Sequence, residues 1–347
     1  MTSRDRELEA PHRRLEPGPR ILEKTVVLGY RGASRLLGML PAGPSRLVLA
    51  RLTQASYLLW PTKRRWSNRN FGHVLGLPPD DPRVRRLALA AYAEYGRYLV
   101  ELMRLPSRRP EEIDRLAGDL DAAAVMALRE DSPGGLILAA AHVGNNEAVA
   151  ASIARHGMPI SVVADDSSFP ELFELLRRQR EAWGIKVIAW RNLRGIFNVL
   201  RRQEMLALLI DWGYRADGIP VQLFGAWTTL PAGPATLAAR TGARILSITI
   251  GRRRDGTFGV SWTEPIAVAS SNPAELQRAT QAMADELAAT ISHAPEQWYS
   301  FKPLWPASPA EAADLERRAR IMQSGRPDPG PTRGRPRDEA ELAVEGA

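Results

Sequence analysis

The chain has 347 residues, 44% hydrophobic and 25% charged, with a formal charge of +8 at pH 7 and no cysteine. These values exclude a collagen-like, coiled-coil or wholly disordered protein. The absent thiols exclude disulfides, cysteine nucleophiles and cysteine-bound zinc. The charge is uneven: residues 1–100 hold 18 Lys and Arg against 8 Asp and Glu, and the rest is nearly balanced. An anionic partner, headgroups or nucleic acid, is therefore expected for the N-terminal third.

Residues 1–20 are polar and charged, without the apolar core of a signal peptide, and are expected to form a disordered arm. From 21 to 107 the pattern is helical. Glu23–Leu40, Ser45–Leu59 and Pro82–Leu105 carry apolar residues at spacings of three and four. Prolines 41, 44, 61, 78 and 79 punctuate them, and a basic-aromatic stretch runs from Trp60 to Trp66. Arg31, Arg35, Arg46, Arg51, Lys63, Arg64 and Arg65, set among Leu and Trp, suit docking on an anionic membrane surface, and equally suit a helix pair with its arginines in water. No segment is apolar enough over 18 residues to predict a membrane-spanning helix.

From Gly134 short apolar runs alternate with amphipathic segments. The runs are 136–141, 160–164, 186–190, 206–210, 243–250 and 258–262. The helical segments are Glu147–His156, Glu171–Trp183, Leu193–Arg202 and Pro234–Thr241. Such alternation predicts an α/β fold: a mixed, largely parallel central sheet flanked by helices, with an N-terminal helical region. Gly251–Gly256 reads as a turn between two strands, so part of the sheet is antiparallel. Asn272–His293 and Pro309–Met322 read as helices. The expected organisation is an arm over 1–20, a helical membrane-docking region over 21–107, an α/β core over 108–306, a C-terminal helix over 307–324 and a disordered tail over 325–347.

Ligands of open α/β sheets bind at the carboxyl ends of strands. The most polar such end is Ala141-His142-Val143-Gly144-Asn145-Asn146-Glu147. Five residues along a helix turn through about 500°. His142 and Glu147 therefore meet only if His142 lies in a loop and Glu147 in the first helical turn. Gly144 permits that path, and Asn145 and Asn146 are candidates for the cap and for substrate contact. In such a pair Glu147 orients the imidazole and His142 takes a proton from an attacking hydroxyl. The same residues also suit a strand-end histidine satisfied by a capping carboxylate. A second strand end, Leu209-Ile210-Asp211-Trp212-Gly213-Tyr214-Arg215, offers Asp211 and Arg215 as substrate-binding residues. A surface ion pair is its plainer reading. The loop Phe224–Ala235 leads to a helix start with free N–H groups. Arg177, Arg178 and Arg180 are candidates for a phosphate, and Arg178 is retained as substrate-binding.

These blocks, in this order, resemble the bacterial lipid A biosynthesis acyltransferases, and within them the phosphatidylinositol mannoside acyltransferase branch of the glycerolipid acyltransferase superfamily. His142 and Glu147 match the HxxxxE hallmark. The other matching blocks are Ile210-Asp211, Phe224-Gly225, Gly233-Pro234-Ala235, Ala238-Ala239-Arg240-Thr241-Gly242-Ala243 and Pro295-Glu296-Gln297-Trp298-Tyr299. Trp66–Phe71 and Tyr95–Glu101 resemble the family's N-terminal helices. The likeness spans about residues 25–306. Where the wider superfamily has Phe-Pro-Glu-Gly, this chain has Leu230-Pro231-Ala232-Gly233.

The resemblance implies transfer of an acyl chain from acyl-CoA or acyl carrier protein to a hydroxyl of a membrane glycolipid or phospholipid. His142 is the base and Glu147 its polarising partner, with no metal or resident cofactor and no covalent enzyme intermediate. It implies peripheral attachment at the cytoplasmic face of the plasma membrane and no nucleic-acid partner. The rival readings are a lysophospholipid acyltransferase, against which the replaced acidic residue at Ala232 argues, and a non-catalytic basic protein that binds membrane or nucleic acid.

Overall fold

The computed structural model describes residues 17–166 and 169–332. Most of the arm expected over 1–20, and the part of the expected tail beyond 332, lie outside the described residues.

Four helices come first: α1 (Pro17–Met39), α2 (Ala42–Leu59), α3 (Pro61–Leu75) and α4 (Pro82–Arg104). Most of the basic-aromatic stretch forms the first turns of α3, with Pro61 at the start, where its missing N–H costs nothing. Asp81 caps α4 by accepting from Arg83 N, and Pro82 follows it. Two short helices, α5 (Pro110–Asp114) and α6 (Ala122–Glu130), lead into the core.

The core elements are β1 (Leu136–Ala140), α7 (Asn146–Arg155), β2 (Ile160–Ala164), α8 (Pro170–Ala182), β3 (Lys186–Ala189), α9 (Leu193–Arg201) and β4 (Met205–Leu209). Then come β5 (Ile219–Leu223), β6 (Ala226–Leu230), α10 (Gly233–Thr241), β7 (Arg244–Arg252), β8 (Phe258–Trp262), α11 (Pro273–His293) and α12 (Pro309–Gln323). The main sheet has the order β3-β2-β4-β1-β7-β8, with every pair parallel except β7–β8. This is the largely parallel, mixed sheet that the alternation predicts. The antiparallel β7–β8 pair is joined through the Gly251–Gly256 region, where Arg253 N donates to Thr257 O at 2.8 Å.

One hairpin departs from the expectation of a loop. β5 and β6 pair antiparallel in a separate two-stranded sheet, with Leu223 opposite Ala226. Only Phe224 and Gly225 lie between, at φ 50° and 71°, the positive-φ pair that matches strand twist in a two-residue turn. The hairpin is tied to the 298–306 segment: Trp305 Nε1 donates to Leu223 O at 3.3 Å, and Thr228 Oγ1 to Leu304 O.

Two apolar clusters sandwich the sheet. One holds Ile137, Ala139, Leu206 and Ile245 against α9, α10, α11 and the N-terminal helices. The other holds Leu136, Leu138, Met205 and Leu246 against α5–α7. The alternation of β1 between them is the period-two burial of a strand covered on both faces.

The chain after α12 is pinned rather than free as far as residue 332. Buried Arg318 donates to both carboxylate oxygens of Asp328, at 2.8 and 2.6 Å, and to the carbonyls of Ala216 and Gly218. Thr332 N reaches Asp314 Oδ2 at 3.3 Å.

Candidate active site

The parallel pairing of β1 with β4 sets Ala140 beside Leu209. Two residues beyond each stand His142 and Asp211, so neighbouring strands end with these side chains at one level. Asp211 Oδ1 lies 2.7 Å from His142 Nδ1, and Oδ2 accepts from the His142 backbone N at 3.0 Å and from Trp298 Nε1 at 2.8 Å. A carboxylate only accepts, so Nδ1 carries the proton and Nε2 keeps its lone pair. Asp211 is fully buried, while the His142 side chain is 26% exposed. Burial lowers the imidazole pKa, but the charge and hydrogen bond of Asp211 outweigh it, and the net shift is upward against an opposing push from Lys302. Burial raises the Asp211 carboxyl, yet His142 and Trp298 together hold it below the ordinary range.

Glu147 is not on the imidazole. It sits in the first turn of α7, as expected, but its carboxylate faces α8, where Arg180 Nε meets both oxygens at 3.1 and 3.0 Å. The expected His142–Glu147 contact is thus replaced by two pairs, His142–Asp211 and Glu147–Arg180. Tyr30 lies beside the second pair, its hydroxyl pushed up to about 12 by burial and by the charge of Glu147.

Asn145 is buried and spent on structure. Its Oδ1 caps α7 by accepting from Ala148 N at 3.0 Å, and its Nδ2 donates to Glu101 Oε2 at 3.3 Å. It is therefore closed to a substrate, contrary to expectation. Asn146 Nδ2 holds Ala141 O at 2.9 Å, and the residue lines a cleft. Arg178 and Arg215 are exposed and paired with near neighbours, Glu174 and Asp217. Neither is paired with His142: Arg215 forms a surface ion pair, and Arg178 lies on an exposed helix face.

Sequence reasoning missed a further layer. Arg252 of β7 donates to Glu94, Glu101 and Tyr299, and Arg46 of α2 also reaches Glu101, at 3.5 Å. Gln297 brackets the Arg252 backbone and accepts from Gly144 N at 3.2 Å, and Tyr299 N donates to His142 O at 2.8 Å. The loop from His142 to Asn145 is therefore clamped between the N-terminal helices and the 297–300 strap. Gly144 is required there: it has φ 67°, and a Cβ would stand 2.7 Å from Ile250 O. The Gln297-Trp298 dipeptide was visible in the sequence, but nothing in it pointed to Asp211.

A cleft of ≈ 110 Å³ lies between the sheet and α7. Leu138 and Ala140, Ile160 and Val162, Ala207 and Leu209, and Ile248 and Ile250 line it, alternate residues of four adjacent strands. Asn146, Glu147 and Arg180 are its polar groups. Ala140 and Leu209 are the last residues of the strands that lead to His142 and Asp211, so the cleft runs beneath the pair.

The α/β sheet thus carries a carboxylate-oriented histidine at its carboxyl edge, with an apolar cleft below. The chain belongs to the bacterial lipid A biosynthesis acyltransferase family, whose model matches residues 19–306. It is an acyltransferase. It is 29% identical to a phosphatidylinositol mannoside acyltransferase of Mycolicibacterium smegmatis over 303 residues, 85% of this chain and 94% of that one. It is 31% identical to a protein of the same name from Mycobacterium tuberculosis over 268 residues, 73% of this chain and 80% of that one.

Proposed function

We propose that the protein moves a fatty acyl group from acyl-CoA or acyl carrier protein to a hydroxyl of a phosphatidylinositol mannoside or a similar glycophospholipid. The observation that carries this reading is the His142–Asp211 pair above the apolar cleft. The names of the two mycobacterial relatives supply the acceptor class.

In this mechanism Asp211 holds His142 with Nε2 free to accept. The acceptor O–H gives its proton to Nε2 as its oxygen attacks the thioester carbonyl carbon. The tetrahedral oxyanion is stabilised by backbone N–H groups of the first turn of α7. The C–S bond then breaks, and the leaving thiolate takes the proton back from the imidazolium. Glu147 acts through Arg180, fixing its guanidinium beside the cleft that holds the acyl chain.

The test is turnover with labelled palmitoyl-CoA and purified phosphatidylinositol mannoside. His142→Ala is expected to lose about 10²- to 10⁴-fold in rate with an unchanged circular dichroism spectrum. Wild-type activity in the folded variant would overturn the mechanism.

The enzyme meets its acceptor as a peripheral protein at the cytoplasmic face of the plasma membrane. Among the described residues no helix is long and apolar enough to cross a bilayer. Leu28, Met39, Leu47, Leu52 and Leu59 instead stand exposed on α1 and α2, with Arg31, Arg35 and Arg51 also exposed on those helices. Apolar side chains set among cations suit an anionic bilayer surface. Arg46 is not part of this surface, because it turns inward to Glu101.

A further inference from the structure

We propose that Lys302 and Lys63 form a phosphate-binding site at the rim of the active site, and that it takes the phosphodiester of the acceptor lipid. The proposal rests on the acceptor reading above.

Trp212 connects this site to the catalytic base. Its ring centroid lies 5.7 Å from that of His142, and the Lys302 ammonium sits 3.9 Å from the Trp212 centroid. Trp212 is largely exposed, so ring and ammonium together border the space where an acceptor must approach Nε2. Lys63, on α3, stands 4.5 Å from the Trp66 centroid and 5.6 Å from that of Trp60. An aromatic face fixes an ammonium without consuming its N–H donors.

Asn70, two helical turns after Lys63 on α3, donates to the Lys302 carbonyl at 2.7 Å, so α3 lies against the Lys302 backbone. Lys302 is lowered by burial and by the charge of Lys63, against an opposite pull from the charge of Asp165. Lys63 is lowered by burial. Among the described residues neither has a carboxylate within ion-pair distance, whereas nearby Arg64 and Arg69 are spent on the carbonyls of Leu58 and Pro306. Lys63 is partly buried and Lys302 exposed, each ammonium rests on an aromatic face, and a phosphate between them offsets their mutual repulsion.

The position favours the acceptor over the donor as the source of that phosphate. Lys63 comes one turn after Leu58, Leu59 and Trp60, which are exposed at the end of the apolar surface of α2. A lipid seated beside α2 with its headgroup hydroxyl at His142 carries its phosphodiester between the two, at the level of Lys63 and Lys302. The diphosphate of a CoA donor offers the same chemistry, so the test separates the two sources.

Wild type, Lys302→Ala, Lys63→Ala and Lys302→Arg would be assayed with palmitoyl-CoA and phosphatidylinositol mannoside in non-ionic detergent micelles. Each alanine variant is expected to raise the acceptor KM about tenfold with an unchanged palmitoyl-CoA KM, and Lys302→Arg to retain most of the affinity. Acceptor binding to the same micelles, measured without turnover, should weaken in parallel. A mannosylated diacylglycerol, which lacks the phosphate, should not distinguish wild type from the variants.

An unchanged acceptor KM and binding, or a penalty that persists without the phosphate, overturns the proposal. A raised palmitoyl-CoA KM alone reassigns the lysines to the donor and also overturns it. A wild type that binds the lipid but never acylates it overturns the acceptor reading, while the binding difference between wild type and variants still decides the phosphate site.

Discussion

At His142 the competition is between two carboxylates. Glu147 is five residues away in the chain and Asp211 sixty-nine, yet Asp211 holds the ring. The HxxxxE spacing made His142 legible, and the strand-end position made Asp211 a candidate. Their partnership depends on the register of β1 against β4, which local sequence does not encode. The pairing has a pH consequence. The net pKa of His142 is raised above 6.5 because the attraction of Asp211 outweighs burial. Only the neutral imidazole accepts a proton, so activity falls as pH drops through that raised value. Asp211→Asn removes the attraction and is expected to move the acid limb of the kcat/KM profile to lower pH. The same change lowers the plateau by about 10²- to 10⁴-fold as the ring loses its orientation. A pH profile that keeps its acid limb in the variant would show that another group sets the protonation of His142. Asn145 and Arg178 carried no such signal: a polar side chain reads alike whether it caps a helix, pairs on the surface or meets a ligand.

Among the elements, those with a clean period were legible and those defined by their contacts were not. The strands from β1 to β4, and β7 and β8, fall within a residue or two of the apolar runs. α3 had no periodic signal of its own, only the likeness of Trp66–Phe71 to a family helix, because its apolar face is small and is completed from outside: Phe71 packs edge-on to Trp298 at 5.7 Å, and Asn70 Nδ2 donates to the carbonyls of Ser300 and Lys302. The β5–β6 hairpin was hidden by Phe224, a bulky residue at a positive φ where Asn, Asp or Gly is usual. The crossing of α2 and α4 yields a prediction of its own. At Gly96 a Cβ would lie 2.5 Å from Leu49 O and 2.6 Å from Ala50 N, both backbone atoms. Gly96→Ala therefore forces the helices apart and is expected to cost about 1–3 kcal/mol, seen as a lower midpoint in urea. An unchanged midpoint would mean that the crossing is looser than its geometry.

For the molecule as a whole, the charge excess of the N-terminal third finds its place on helices whose apolar side chains also face outward. Both terms, apolar insertion and headgroup attraction, should act together in docking. Wild type is expected to float with vesicles rich in anionic lipid at low salt. Leu47→Glu with Leu52→Glu should remain in the pellet fraction and keep turnover on micelle-dispersed acceptor. Flotation of the double variant equal to wild type would remove α2 from the docking surface. The overall α/β class was legible from alternation alone. The strand order was not, because it rests on which apolar runs lie side by side. That order sets a schedule for synthesis. β1 is the central strand, but its neighbours are β4 and β7, whose first paired residues are Met205 and Arg244. A growing chain thus carries Leu136–Ala140 as an apolar strand with both edges unpaired until those later segments emerge. Nascent chains stalled before Met205 expose a sticky ribbon to the cytosol. The dyad, divided between β1 and β4, cannot exist until that ribbon is covered.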